Sequence, residues 1–132
     1  MLDLTPTERH LVIIVVHGTE VGLYRRTPTT KERIDYQAAT IQSKKNRLAI
    51  DHAARLKYGL ALLTGIREGD LGFEGKALSS DPKSPHYRQD WKDILRDHRA
   101  DLVMGVALDA FETSVLKLDE GDDEAEPPFS SN

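Results

Sequence analysis

The segment that most constrains the fold is an uninterrupted apolar run near the start of the chain. His10–Val16 reads HLVIIVV and is followed by the turn-forming pair His17-Gly18. β-branched residues favour extended backbone, and a continuous run of this length is typical of a well-buried strand. Residues 21–24 offer a second strand across a short turn, which predicts a β-hairpin over residues 10–26. Because two strands alone are marginally stable, this hairpin must lie on helices or join another sheet.

A helix start follows the hairpin. Thr29 and Glu32 have the spacing of a capping box, in which the hydroxyl and the carboxylate each accept a hydrogen bond from the other residue's amide. Pro28 lies just outside and resists extension of the helix backwards. Apolar residues then recur at helical spacing (Ile34, Ile41, Leu48, Leu56, Leu60 and Leu63). This stripe predicts one long amphipathic helix, or two with a bend, ending at Thr64-Gly65.

The second half of the chain reads as a long connection followed by two shorter helices. Residues 65–87 are rich in glycine and proline, and within them residues 73–76 predict a turn that folds Leu71 and Leu78 back onto the helices. A helical segment is expected from His86, with Trp91, Ile94 and Leu95 on one face. A last helix carries five further apolar residues at helical spacing (Leu102, Val103, Val106, Ala110 and Phe111).

An acidic segment ends the chain and divides its charge unevenly. Six acids and no base lie in residues 119–126, so the net charge of −4 becomes +2 when those six are set aside. Two prolines and a Ser-Ser-Asn end follow, which is the composition of a disordered segment. The fold class expected is therefore α+β: one domain over residues 1–118, with an N-terminal hairpin and about three helices, and a disordered acidic tail over residues 119–132.

Motifs of catalysis and of metal binding are weak. The chain has no cysteine, no HExxH, no G-x-S-x-G and no phosphate-binding glycine loop. The segment from Asp70 to Asp81 resembles a calcium loop, with Glu74 at its fifth position and glycine at its sixth. Its third position, however, is Gly72, which offers no side-chain oxygen. We therefore expect no catalytic residue, no cofactor and no metal site.

Positive charge near the hairpin raises the question of nucleic-acid binding. Tyr24-Arg25-Arg26 could contact a phosphate and stack on a base. Further basic residues follow along the helical stretch (Lys44, Lys45, Arg47, Arg55 and Lys57). They alternate with acids in the manner of a solvated helix face, and a net charge of +2 outside the acidic segment argues against a dedicated nucleic-acid binder.

The longest apolar run, at residues 11–16, is too short for a membrane span, which needs about 20 residues.

The order of these features resembles the small tail assembly chaperones of long-tailed bacteriophages. Two strands run into "LYRRTPTTKERIDY" and a long helix, then into "LLTGIREGDLGFEGKAL", "YRQDWKDIL" and a closing helix. In that family a short β segment leads into a helix start of the R-x-P-T-x-x-E kind, and a glycine-rich acidic loop precedes a large apolar residue. The resemblance covers about residues 10–115.

This resemblance implies a non-enzymatic protein of the infected cell's cytoplasm. It would hold the aggregation-prone tape measure protein during tail morphogenesis until tube subunits polymerise around it, and the tail tube protein is a second candidate partner. The resemblance does not decide whether the chain forms a homo-oligomer. On this interpretation the hairpin edge and the adjoining helix face form the docking surface, with five candidate contact residues (Leu23, Tyr24, Arg25, Arg26 and Arg33). The alternatives are another small phage structural or connector protein and a nucleic-acid-binding regulator.

Overall fold

The computed structural model describes Met1, Leu4 and residues 9–42 and 47–113. Their secondary structure comprises five strands, four α-helices and a closing π-helical segment. In chain order these are β1 (His10–Val16), β2 (Thr19–Arg25), α1 (Thr30–Gln42), α2 (Arg47–Leu62), β3 (Leu63–Ile66), β4 (Gly72–Phe73), β5 (Lys76–Ala77), α3 (Trp91–His98), α4 (Ala100–Ala107) and the π-helical segment Leu108–Thr113. The α+β class and the N-terminal hairpin are confirmed. The acidic tail, Lys44, Lys45 and the side chains of Ile41, Arg47 and Leu48 lie outside what is described.

The N-terminal sheet has three strands instead of the two expected. β2 is its central strand and pairs antiparallel with both β1 and β3. The helix predicted to end at Thr64-Gly65 ends at Leu62, and that dipeptide lies within β3. The physical reason is that β3 satisfies the second row of β2 backbone groups, with Leu23 paired to Ile66.

Two tight turns fix the strand registers. His17 and Gly18 have φ of 51° and 80°, and Glu74 and Gly75 have φ of 54° and 80°. Positive φ at both central residues is the type I′ geometry that two-residue hairpins favour. The turn predicted at residues 73–76 is thereby confirmed as the β4–β5 hairpin. Leu78 beside it is buried and Leu71 packs on the same core, as expected.

The long helical stretch forms two helices that fold back on each other. The rings of Tyr36 in α1 and Tyr58 in α2 lie 5.7 Å apart in an edge-to-face contact. In one straight helix residues at that separation would lie about 33 Å apart. Phe111 stacks on Tyr36 at 4.3 Å, so an aromatic cluster joins α1, α2 and the π-helical segment. Ile34, expected in the buried stripe, is 60% exposed, because α1 packs through Tyr36.

Helix α4 lies between the sheet and α2. A Cβ at Gly59 of α2 would overlap the carbonyl oxygen of Val103, so the two helix backbones are in direct contact. A Cβ at Gly105 would lie 2.6 Å from Cδ1 of Ile14, which places β1 against another side of α4. The apolar residues expected on the last helix are divided between α4 (Leu102, Val103 and Val106) and the π-helical segment (Ala110 and Phe111), and all five are buried or packed on the core, as predicted.

Helix α3 begins at Trp91, five residues later than expected. Residues before it form successive turns, with the Ser84 amide donating to Asp81 and the Tyr87 amide donating to Ser84. Tyr87 also forms an isolated bridge with Ser79, which holds that backbone extended. The predicted helix start at His86 is wrong for this reason. The apolar face of α3 is correct, since Trp91, Ile94 and Leu95 are its buried residues.

Candidate functional site

One row of the edge strand β1 faces away from the core. Leu11, Ile13 and Val15 are 42%, 41% and 62% exposed, whereas Val12 between them is 6% exposed. The prediction of a well-buried β1 is therefore wrong for four of its seven residues, since His10 is exposed as well. The reason is that helix α4 covers only the inner face of the sheet, where Ile14 lies. Successive side chains of a strand point to opposite faces, so the other three are left outside. We call Leu11, Ile13 and Val15 the outer row.

The β2 position opposite the centre of the outer row is covered, and its neighbours on that face are Glu20 and Tyr24, which confines the exposed aliphatic area to β1. Gly22 lies opposite Ile13. The Arg67 side chain lies over Gly22, and a Cβ there would fall 2.9 Å from its Nε. Asp70 holds this arrangement by accepting from the Gly22 amide at 2.7 Å and from Arg67 Nε at 2.8 Å. Polar side chains therefore border the outer row on its β2 side.

The ends of the outer row carry opposite charges. At one end Leu11 pairs with Tyr24, and the Arg9 guanidinium carbon lies 3.8 Å from the centre of the Tyr24 ring. At the other end Val15 pairs with Glu20. Residues directly opposite in an antiparallel pair share a face, so Glu20 and Tyr24 belong to the same surface as the outer row.

Backbone groups of the outer row point to the open edge of the sheet. The Gly22 amide donates to Asp70, and its carbonyl accepts from the Arg67 amide at 2.8 Å, so both groups point away from β1. The pair Ile13–Gly22 is thus one of the pairs without mutual hydrogen bonds, and such pairs alternate along the ladder. Leu11 and Val15 follow the same pattern. Among the described residues no strand pairs with this edge of β1.

Arg25, one of the five contact residues implied by the resemblance, is 5% exposed. Its Nε donates to Asp109 Oδ2 at 2.9 Å, and its Nη1 donates to the Arg26 carbonyl at 3.1 Å. This side chain points to the inner face and fastens β2 to the π-helical segment. His10 Nε2 lies 3.9 Å from the same carboxylate. Leu23 is also on the inner face and is fully buried.

Arg26 and Glu32 organise the start of α1. The predicted capping box is confirmed: the Glu32 amide donates to Thr29 Oγ1 at 3.1 Å, and the Thr29 amide donates to Glu32 Oε1 at 2.9 Å. Arg26 donates to both Glu32 oxygens, at 2.8 and 2.7 Å. This bidentate contact, with the amide of Thr29, lowers the pKa of Glu32 from 4.5 to about 2. The guanidinium of Arg26 therefore stabilises the turn between the sheet and helix α1.

Tyr24 and Arg33 keep a larger share of their surface. Tyr24 is half-buried on the outer face, between Leu11 and Gly65 of the two flanking strands. Arg33 is exposed on α1, where its Nη1 donates to the Ala110 carbonyl at 3.4 Å. Leu23 and Arg25 thus lie on the inner face of the sheet, whereas Arg26 lies in the turn after β2 and Arg33 on α1. Of the five implied residues, Tyr24 is the one that borders the outer row.

The acids of the calcium-like loop have separate protein partners. Asp70 accepts from Gly22 and Arg67, as described above. Glu74 lies 3.5 Å from Arg88, and Asp81 Oδ1 accepts from the Lys83 amide at 2.9 Å. Within residues 9–42 and 47–113 no group of three histidine or acidic side chains is arranged to hold a metal ion.

Two serines of the same connection, Ser79 and Ser84, donate to one carboxylate. Ser79 donates to Glu68 at 2.5 Å and Ser84 donates to its other oxygen at 2.8 Å, which lowers the pKa of Glu68. Ser79 is fully buried, and its oxygen also accepts from the Asp81 amide at 3.0 Å. These contacts fix the path of the loop. A groove of about 310 Å³ lies nearby, with both charged and aromatic lining residues (Phe73, Glu74, Lys76, Ala77, Pro85, His86, Tyr87 and Arg88).

The outer row could have been found from the sequence through β2. Residues 20, 22 and 24 of β2 are Glu, Gly and Tyr, and they alternate with Val21 and Leu23. Such alternation is typical of a strand with one solvated face. A two-residue turn at His17-Gly18 then assigns Leu11, Ile13 and Val15 to that face.

Comparison with protein-family models, with curated proteins and with solved structures gives no match to the chain. Among the helices of the described ranges, none has both the length and the apolar character needed to cross a membrane. The resemblance to tail assembly chaperones therefore remains a hypothesis carried by the order of sequence features.

Proposed function

We propose that this protein is a non-enzymatic chaperone of bacteriophage tail assembly that binds the tape measure protein in the host cytoplasm. The observation that carries the proposal is the outer row of β1. Leu11, Ile13 and Val15 form a contiguous apolar strip bordered by polar side chains, and such strips commonly serve as protein-binding surfaces.

The chemistry of this strip suits the partner that the resemblance implies. A tape measure protein is a long helical chain with apolar stripes, which aggregates unless those stripes are covered. The outer row offers β-branched and leucine side chains at its centre, with Arg9 and Tyr24 at one end and Glu20 at the other. Apolar burial would supply the affinity, and the charged ends would set the orientation.

The docking surface proposed differs from the one expected from the sequence. Leu23 and Arg25 lie behind the sheet, so a partner on the outer face would not touch them. Tyr24 remains in contact range at one end of the outer row. The docking surface expected from the sequence was the hairpin edge with the adjoining helix face. Since β3 pairs with the β2 edge, we place the surface on the outer row of β1.

Co-expression tests the function. The tape measure protein encoded in the same phage genome would be produced with and without this chain, and its soluble fraction measured after lysis. We expect a soluble complex only when the chain is present, with the tail tube protein as a further candidate partner.

Equal insolubility of the tape measure protein in both conditions would contradict the proposal. Recovery of the chain from purified virions would favour a structural or connector protein instead. A salt-sensitive shift of DNA would favour a nucleic-acid-binding regulator.

A further inference from the structure

Within the described part of the chain, the outward edge of β1 lacks the features that usually protect an edge strand. It has no proline and no lysine, arginine, aspartate or glutamate between His10 and Val16. Its pairing with β2 runs through seven consecutive residue pairs without a bulge. Edge strands in soluble proteins commonly carry charges, prolines or bulges that block further pairing. An edge without them is suited to receive another strand.

A second copy of β1 has the complementary pattern of hydrogen-bonding groups. Leu11, Ile13 and Val15 direct their amides and carbonyls outward, at every second position. If an identical strand runs antiparallel about a two-fold axis at Ile13, each outward pair meets a matching pair. Ile13 then faces Ile13 of the second copy, and Leu11 faces Val15. Three such pairs exchange about six hydrogen bonds, and the same patch serves both copies.

The charges at the ends of the strand favour this antiparallel arrangement. Arg9 lies at one end of the outer face and Glu20 at the other. In the two-fold pairing, Arg9 of one copy lies at the end occupied by Glu20 of the other, with about 12 Å between Cα atoms from the strand and residue spacings. Parallel pairing would instead bring the two Arg9 side chains together. The centre of β1 has no charged side chain, so no like charges lie opposite each other there.

We propose that two copies of the chain associate through their β1 edges to form one continuous six-stranded sheet. The strand order is β3-β2-β1 in one copy, followed by β1-β2-β3 in the second. The two outer rows then lie side by side on one face and make an apolar patch of twice the size. The dimer can be measured on the purified chain alone, so the result of that test does not depend on whether the chaperone function is correct.

The first test is the molar mass of the full chain by light scattering coupled to size exclusion. We expect twice the 14.8 kDa of one chain at high micromolar concentration. Ile13→Lys places two ammonium groups at the two-fold axis and should yield the single-chain mass. Ile34→Lys is the matched control, since Ile34 is also an exposed isoleucine but lies on α1. It should remain dimeric. A monomeric wild-type chain, or an Ile13→Lys dimer, would overturn the proposal.

Amide hydrogen exchange of the wild-type chain supplies a test that needs no variant. The amides of Leu11, Ile13 and Val15 should be protected at high concentration and should lose that protection on dilution to the monomer. Those of Val12 and Ile14, which bond to β2, should stay protected throughout. Fast exchange of the three outer amides in a dimeric sample would place the contact elsewhere. Protection that persists in the monomer would mean that the chain covers its own edge, which would also overturn the dimer.

Discussion

Arg25 illustrates how a residue that suggests a binding surface can instead hold a fold together. In the sequence it belongs to a Tyr-Arg-Arg group that could contact phosphate or protein. In the structure its guanidinium joins Asp109, which is 84 residues away, and closes the sheet onto the π-helical segment. A charge taken out of water in this way is stable only while its partner is present.

Replacing Arg25 should therefore destabilise the protein. Arg25→Met keeps much of the side-chain volume but leaves Asp109 without its guanidinium partner. We expect a loss of about 2–3 kcal/mol in the free energy of unfolding. Urea denaturation measures it, with Arg33→Met as the control on an exposed arginine, where the change should stay within about 0.5 kcal/mol. Equal stabilities of the two variants would show that the Arg25–Asp109 pair has no structural role.

Glu32 makes the start of α1 sensitive to acid. Its pKa falls from 4.5 to about 2 in the folded protein, mainly through Arg26. A carboxylate with a lowered pKa stabilises the folded state above its unfolded pKa, and that contribution is lost as the pH falls through the folded pKa. The window is therefore about pH 4.5 to 2. The stability difference between wild type and Glu32→Gln should shrink across it. A difference that stays constant from pH 6 to pH 2 would contradict this role.

At the residue scale, local contacts were predictable and distant ones were not. The capping box joins residues three apart, so its spacing is visible in the sequence. The contact of Arg25 with Asp109 depends on how β2 and the π-helical segment meet in three dimensions. No periodicity in either segment identifies the other as its partner.

Close contacts between elements depend on two glycines of the helices. Gly59 brings the backbone of α2 against α4, and Gly105 brings α4 against β1. Both positions lack the Cβ that would hold the elements apart. They differ in what the added carbon would meet: a carbonyl oxygen of Val103 in one case and the flexible end of Ile14 in the other.

This difference predicts unequal costs for the same substitution. Gly59→Ala should destabilise the protein by about 2 kcal/mol or more, because backbone cannot move aside without separating α2 from α4. Gly105→Ala should cost less, since Ile14 can change rotamer and alanine is favoured over glycine in helices by about 1 kcal/mol. Thermal unfolding of both variants measures the order. A larger loss for Gly105→Ala would contradict the described packing.

At the scale of helices and strands, the secondary structure of a segment was easier to predict than the element it pairs with or packs against. The hairpins and the apolar faces of α3 and α4 follow from turn residues and periodicity. The sequence does not predict β3, because Leu63 continues the apolar stripe of α2. Pairing with β2 explains why Leu63–Ile66 becomes extended. The exposure of the outer row was missed because an uninterrupted apolar run carries no alternation of its own.

At the scale of the whole molecule, the proposed partner binding depends on apolar association. If the outer row binds a helical partner, the dissociation constant should rise by only a few fold between 50 and 500 mM salt, because apolar burial is not screened. Phosphate binding by several cations would instead weaken by orders of magnitude over such a range. Titration of a solubilised tape measure segment at both salt concentrations makes the distinction. A steep loss of affinity would point to an electrostatic interface.

The most direct test of the central claim is co-purification of the tape measure protein with variants of the outer row. Leu11→Ser combined with Val15→Ser removes apolar surface from β1, while Ile34→Ser removes a comparable exposed side chain from α1. We expect the double variant to lose at least about tenfold in binding, since burying two such side chains contributes 1.4 kcal/mol or more, roughly one decade of affinity. Ile34→Ser should bind as wild type does. Full retention of the tape measure protein by a natively folded double variant would contradict the account.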